Sequence, residues 1–185
     1  GGQVMKNVAG YDVSRLMVGA MGTLGMLLEV SLKVLPKPMA EITLHMQMDE
    51  AAVIEKMNQW AGKPLPISAT CYRNGELFFR LSGADSAVRA AHVKLGGEEL
   101  CEGEVFWKSV REQTHSFFQS ADSLWRLSIN PATPPLTLPA EQLIEWNGGL
   151  RWLLGDEKLD AVTIHKTAKD AGGHATMFRS NEPGI

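Results

Sequence analysis

From about residue 39 the sequence predicts an α+β fold: a ferredoxin-like antiparallel sheet with helices on one face. Two observations predict it. The apolar residues switch between strand and helix period in the order strand, helix, strand, strand, helix, strand. The middle strands are joined by Asn74-Gly75, a dipeptide that favours a tight hairpin.

Residues 41–48 alternate and form the first strand. Asp49 is placed to cap a helix whose apolar face is Val53, Ile54, Met57, Trp60 and Ala61, and Gly62 ends it. Residues 67–73 and 76–82 flank the hairpin turn. A second helix covers 85–95, with Val88, Ala91 and Leu95 inward and Gly96-Gly97 past its end. Residues 98–101 supply a short fourth strand.

Beyond these, 104–119 reads as a helix with Phe106, Trp107, Val110 and Phe117 on its apolar side. Residues 124–129 read as strand. Residues 130–139 hold four of the nine prolines and form a rigid loop. Residues 143–154 read as strand interrupted at Gly148-Gly149 by a turn or a bulge. Residues 156–171 read as helix and 174–179 as a last strand. No internal repeat is visible.

The bulk numbers bound the function. The 185 residues suffice for one good core, or for one domain and part of another. A net charge of -3 gives no reason to expect nucleic acid. Cys71 and Cys101 have neither metal-ligand spacing nor the pattern of a disulfide framework, and a reducing compartment is the simpler reading. The apolar run near Leu24 is cut by Glu29 and Lys33, so no membrane span is expected.

Upstream, 23–35 reads as a half-buried strand, because Val30, Leu32 and Val34 alternate with Ser31 and Lys33. Pro36 and Pro38 stop it, which places a boundary near residue 38 and divides the chain into 1–38 and 39–185. Gly19, Gly22 and Gly25 precede this run. Their spacing is not that of a Rossmann turn, no helix is expected after them, and the GK[ST] of a P-loop is missing. The pattern alone leaves two readings open: a glycine-rich turn, or a backbone that approaches a ligand.

The run KNVAGYDVSRLMVGAMGTLGMLLEVSLKVLPKP resembles the end of the FAD-binding domain of the vanillyl-alcohol oxidase and p-cresol methylhydroxylase flavoprotein superfamily. Lys6, Tyr11-Asp12, the segment 19–26 and Pro36 follow the family's order, with Ala20 and Met26 as mild departures. The pieces LWRLSINP, EWNGGLRWL and AGGHATMFR resemble the FAD-binding subunits of bacterial glycolate oxidases within that superfamily. The resemblance implies a tail of an FAD-binding domain over 1–38 and a ferredoxin-like substrate or cap domain over 39–185. It implies a piece of a longer protein, without the first FAD subdomain and the C-terminal return segment. FAD is then expected in the full-length protein and not in this stretch alone, which is expected to be inactive by itself.

The implied activity is flavin-dependent oxidation of glycolate, a 2-hydroxy acid, to glyoxylate, with other glycolate oxidase subunits as partners. The implied location is cytoplasmic, with contact to the inner membrane through those partners. The alternative is a scaffold or electron-transfer subunit, with the chemistry on a sister subunit. An unrelated ferredoxin-like regulatory domain is a third reading, which leaves the GTLGM segment without a role.

The backbone at Gly19, Gly22, Thr23, Leu24, Gly25 and Met26 is implied to lie against FAD. Lys6 is either a ligand or a solvated side chain, and Asp12 either a ligand or a helix cap. Arg126, Arg151 and Arg179 lie on expected strands, and an arginine fork suits a substrate carboxylate. Arg151 and Arg179 are the substrate-binding candidates; the competing reading is a partly buried structural arginine. His174 is the candidate base for the hydroxyl proton, against a satisfied core or dipole-facing histidine. No closely spaced histidine pair is present, and no metal is expected. Trp107, Trp125, Trp146 and Trp152 fall in the second half and serve either the core or a subunit interface.

Overall fold

The computed structural model describes residues 12–20, 22–34, 36–119, 123–155 and 159–180. The chain divides into two compact units, one up to Lys37 and one from Pro38 onward.

In the first unit, helix α1 (Val13–Met17) starts where the Asp12 carboxylate accepts the backbone N–H of Arg15 at 3.0 Å. Asp12 is therefore a helix cap. The strand expected over 23–35 does not form: residues 25–34 have no regular secondary structure. A strand needs a neighbour to complete its hydrogen-bond ladder, and none of the described strands pairs with this run. Its apolar side chains, among them Leu28, Leu32 and Val34, are exposed.

The second unit contains β1 (Ala40–Gln47), α2 (Glu50–Ala61), β2 (Ile67–Arg73), β3 (Glu76–Gly83), α3 (Asp85–Leu95) and β4 (Glu98–Glu99). They are followed by α4 (Gly103–Arg111), β5 (Ser123–Ser128), β6 (Gln142–Glu145), β7 (Leu150–Gly155), α5 (Ala161–Asp170) and β8 (His174–Ser180). Asn74 and Gly75 both have positive φ, 51° and 82°, as a hairpin turn between β2 and β3 requires. The Asp49 side chain caps α2 by accepting from the Ala52 N–H at 2.9 Å.

The eight strands among the described residues form one antiparallel sheet in the order β4-β1-β3-β2-β6-β7-β5-β8. The first half has the expected ferredoxin-like arrangement. The second half repeats it. Counted from its own first strand, β8-β5-β7-β6 has the same order as β4-β1-β3-β2. Where the first half has α2, the second has the proline-rich loop 130–139. The halves meet at the short pairing Cys71↔Glu145 and Tyr72↔Ile144. Such a repeat escapes a search for sequence similarity, because it needs only matching alternation and it has lost one helix.

Alternation divides the sheet into two buried faces. On one, Leu44, Tyr72, Leu77, Phe79, Leu81 and Ile144 pack under α2 and α3. The same face carries Trp125, Leu127 and Leu153, packed with Ile164 and Ala168 of α5. The opposite face carries Cys71, Leu124, Leu143, Leu150, Trp152 and Leu154. There α4 covers the first half, with Trp107 donating its ring N–H to Thr43 at 2.9 Å. A Cβ on Gly103 would collide with the Thr43 side chain, so glycine lets α4 seat this closely.

Two helix boundaries differ from expectation. The helix expected over 104–119 ends at Arg111; Gln113 takes φ 56°, and a 3₁₀ turn follows over Ser116–Gln119. The adjacent Phe117 and Phe118 are both fully buried, which one face of a continuing α-helix could not achieve. Helix α5 begins at Ala161, because the Asp160 carboxylate accepts the Thr163 N–H at 2.9 Å and fixes the start there.

Candidate functional site

In the first unit the three glycines stand at φ 77° (Gly19), 81° (Gly22) and 149° (Gly25). A Cβ on Gly19 or Gly22 would meet nothing within 4 Å, so glycine serves the backbone conformation here, not packing within the chain. The turn is closed by Thr23, whose N–H and hydroxyl both donate to the Ala20 carbonyl, at 2.9 and 2.6 Å. The amides of Leu24, Gly25 and Met26 make no backbone hydrogen bond among the described residues. Exposed main chain with unpaired amides is what reading a flat cofactor edge demands, so the loop fits the group that the resemblance implies. Lys6 and Tyr11 lie outside the described residues.

In the second unit the chemistry gathers on the sheet face that carries α4, over β5 and β8. Arg126 on β5 lies opposite Trp152 of β7 and Thr176 of β8. Its guanidinium sits 5.8 Å from the centre of the Trp146 ring. Trp146 is 66% exposed, while the four other tryptophans are at most 9% exposed.

The turn that presents Trp146 is strained. Trp146 and Asn147 both take left-handed conformations, φ 51° and 56°, which are costly for an aromatic residue. Hydrogen bonds with Thr70 of β2 and Asn58 of α2 hold it. The Asn147 N–H donates to the Thr70 hydroxyl at 2.9 Å, and the Asn58 amide donates to the Pro131 carbonyl at 3.0 Å and the Asn147 carbonyl at 3.5 Å. Beneath it, Glu145 accepts the Trp152 ring N–H at 2.8 Å. Burial pushes the Glu145 carboxyl up, against the pull of that bond and of Arg126.

His174 stands exposed at the start of β8, opposite Ser128, and shares the face of Arg126 one residue pair away. Arg179 lies on the same face and donates to the Phe118 carbonyl. Arg151 does not join them. It pairs with Ile144 and Leu127, which belong to the opposite face. Its side chain is 0% exposed and donates to the carbonyls of Pro134 at 2.9 Å, Gly148 at 3.4 Å and Thr133. Glu50 of α2 lies 4.0 Å away. Burial lowers the Arg151 pKa, and Glu50 opposes the shift; burial raises Glu50, and Arg151 opposes that in turn. Arg151 is thus spent on the loop that replaces a helix.

The structure brings Arg126, Thr176 and His174 together. Of the four tryptophans read as core or interface, Trp107, Trp125 and Trp152 are core and Trp146 is displayed, beside the turn dipeptide Asn147-Gly148. No helix among the described residues is long and apolar enough to cross a membrane.

Comparison with known proteins agrees with the resemblance read from the motifs. Over all 185 residues the chain is 47% identical to glycolate oxidase subunit GlcE of Escherichia coli. From end to end, the chain is similar to a glycolate oxidase subunit. It spans 52% of that relative's length. A shorter stretch of 44 residues, 24% of the chain, is 52% identical to glycolate oxidase subunit GlcD of Bacillus subtilis and covers 9% of it. No protein-family model and no solved structure matches the chain.

Proposed function

We propose that the chain belongs to an FAD-binding subunit of a glycolate-oxidising complex, in which the backbone of Gly19, Gly22, Thr23, Leu24, Gly25 and Met26 forms one wall of the flavin site. The observation that carries this reading is the 47% identity along the whole chain to a glycolate oxidase subunit. The positive-φ glycines and the unpaired amides beside them support the placement of the wall. FAD, when bound, supplies the electron acceptor for oxidation of the alcohol carbon. The chain's own part is to present amides to the cofactor edge and to keep side chains out of its way.

The second reading is a scaffold subunit without substrate contact. It draws on the engagement of Arg151 and Arg179 with backbone carbonyls of the fold. The test is flavin content of the protein purified with its companion subunits, measured by flavin absorbance. Gly22→Val forces a β-branched residue into φ 81° and is expected to lose FAD while assembly persists. Full flavin content in that variant would reject the wall. Unchanged turnover after His174→Ala would favour the scaffold.

A further inference from the structure

We propose that Arg126, backed by the Trp146 ring, holds the carboxylate of a small 2-hydroxy acid on the exposed part of this sheet face, with Thr176 and His174 beside it. The identity of the ligand rests on the oxidase reading above; the site itself rests on the geometry.

Arg126 is the uncommitted arginine of the three on these strands. Arg151 is buried on the other face, and Arg179 is bonded to a carbonyl. The Arg126 guanidinium makes no hydrogen bond or ion pair among the described residues; its recorded neighbours are the Trp146 ring and the field of Glu145. Stacking on an aromatic ring holds a guanidinium in place while its N–H fork stays free for a planar oxyanion.

The strained turn strengthens the case. Two consecutive non-glycine residues take left-handed conformations in a turn that Thr70 of β2 and Asn58 of α2 hold through hydrogen bonds to Asn147. The product of that strain is an exposed tryptophan beside an arginine with no hydrogen bond or ion pair among the described residues. Strain held by hydrogen bonds from another part of the fold marks a position whose geometry matters.

The neighbours select the ligand. Thr176 lies directly opposite Arg126, and His174 lies one pair along, on the diagonal. Diagonal neighbours are roughly 7–8 Å apart at the backbone, within reach of two side chains that share a small molecule. A carboxylate on Arg126 therefore leaves the adjacent 2-hydroxyl between Thr176 and His174. The row Arg126, Ser128, Thr176 and His174 is polar, which suits a small polar ligand better than the apolar centre of a protein interface. The same carboxylate chemistry could come from an acidic side chain of a partner, and the titrations separate the two sources.

The test is calorimetric titration of the purified chain, together with tryptophan emission, using glycolate, lactate, acetate and N-acetyl-aspartate amide. Saturable binding of glycolate and lactate is expected, with weaker binding of the two acids that lack a 2-hydroxyl. Arg126→Gln should weaken glycolate binding at least about ten-fold, and Arg126→Lys less, since charge survives without the fork. His174→Ala should weaken glycolate but leave acetate unchanged. Circular dichroism melts of each variant check the fold. Equal affinity in Arg126→Gln, or no saturation with glycolate, overturns the site. Acetate or blocked aspartate binding as tightly as glycolate overturns the hydroxy-acid assignment in favour of a side-chain carboxylate. No flavin is present in these titrations, so failure of the flavin wall and failure of this site are separate results.

Discussion

Replacing Arg151 with methionine isolates what a buried cation does where a helix is missing. The side chain donates to the carbonyls of Thr133, Pro134 and Gly148 and has no exposed surface. A hydrogen bond from a charged donor contributes about 1.5–3 kcal/mol. Three such bonds from one guanidinium do not add, because they share its desolvation. The measured cost of breaking a buried charged contact, about 3–5 kcal/mol, is the better bound. Methionine fills much of the volume, so a cavity adds little. Against a domain stability of about 5–15 kcal/mol, the variant should remain folded but be severely weakened.

The charge contribution is separable. Glu50 lies 4.0 Å from Arg151 with its own side chain 28% exposed, so Glu50→Gln should cost less than about 1 kcal/mol. Arg151→Lys keeps the charge but reaches fewer carbonyls and should fall between the two. Urea denaturation followed by the buried tryptophans gives the energies, and hydrogen exchange over 130–139 shows whether the loop is the part released. A methionine variant within about 1 kcal/mol of the parent, with loop protection unchanged, would refute the clamp and return Arg151 to the ligand candidates.

Further outcomes follow from other contacts. Glu145 is partly buried and desolvation raises its pKa above the ordinary 4.5, so the folded state binds more protons than the unfolded state above that pH, and stability falls as pH rises through the window. Glu145→Gln keeps an acceptor for Trp152 and removes the titration. Its stability relative to the parent should therefore rise with pH in thermal melts, and a relative fall would contradict the assignment. In Gly173→Ala the new Cβ would strike the Ser128 carbonyl oxygen and approach Ile129 Cα to 2.7 Å, backbone atoms that no rotamer change relieves. A loss of about 2–3 kcal/mol in urea melts is expected, and a neutral result would mean that β8 shifts freely.

Local chemistry made much of the fold legible. Asp49 as a cap, Asn74-Gly75 as a turn and the alternation through 67–83 each rest on neighbours in sequence. Elsewhere distant contacts decide. The alternation over 23–35 is that of a strand, but a ladder requires a second strand, which periodicity cannot supply. Phe106, Trp107, Val110 and Phe117 suggested one long helix, yet Phe118 also had to be buried, and Gln113 takes the break. Among the site residues, three arginines on strands looked equivalent in sequence. A strand assignment does not say which face an arginine meets, nor whether a loop carbonyl already occupies it.

The repeated topology explains why the arginines differ. Both halves use the same strand order, so both need a cover on the face that carries α2 and α3. The second half has no helix in the equivalent connection, and a loop exposes carbonyls that a helix would satisfy internally. Arg151 supplies the donors, and that need commits it to structure. On the opposite face α4 covers the first half, while β5 and β8 carry Arg126, Ser128, Thr176 and His174 in a row. The exposed part of a sheet face must be either polar or partnered. This row is polar, it includes an arginine with no partner among the described residues, and it is flanked by a tryptophan displayed at a conformational cost. Solvation alone would need no strained turn, which is why the Arg126 titrations bear on the catalytic and scaffold readings together.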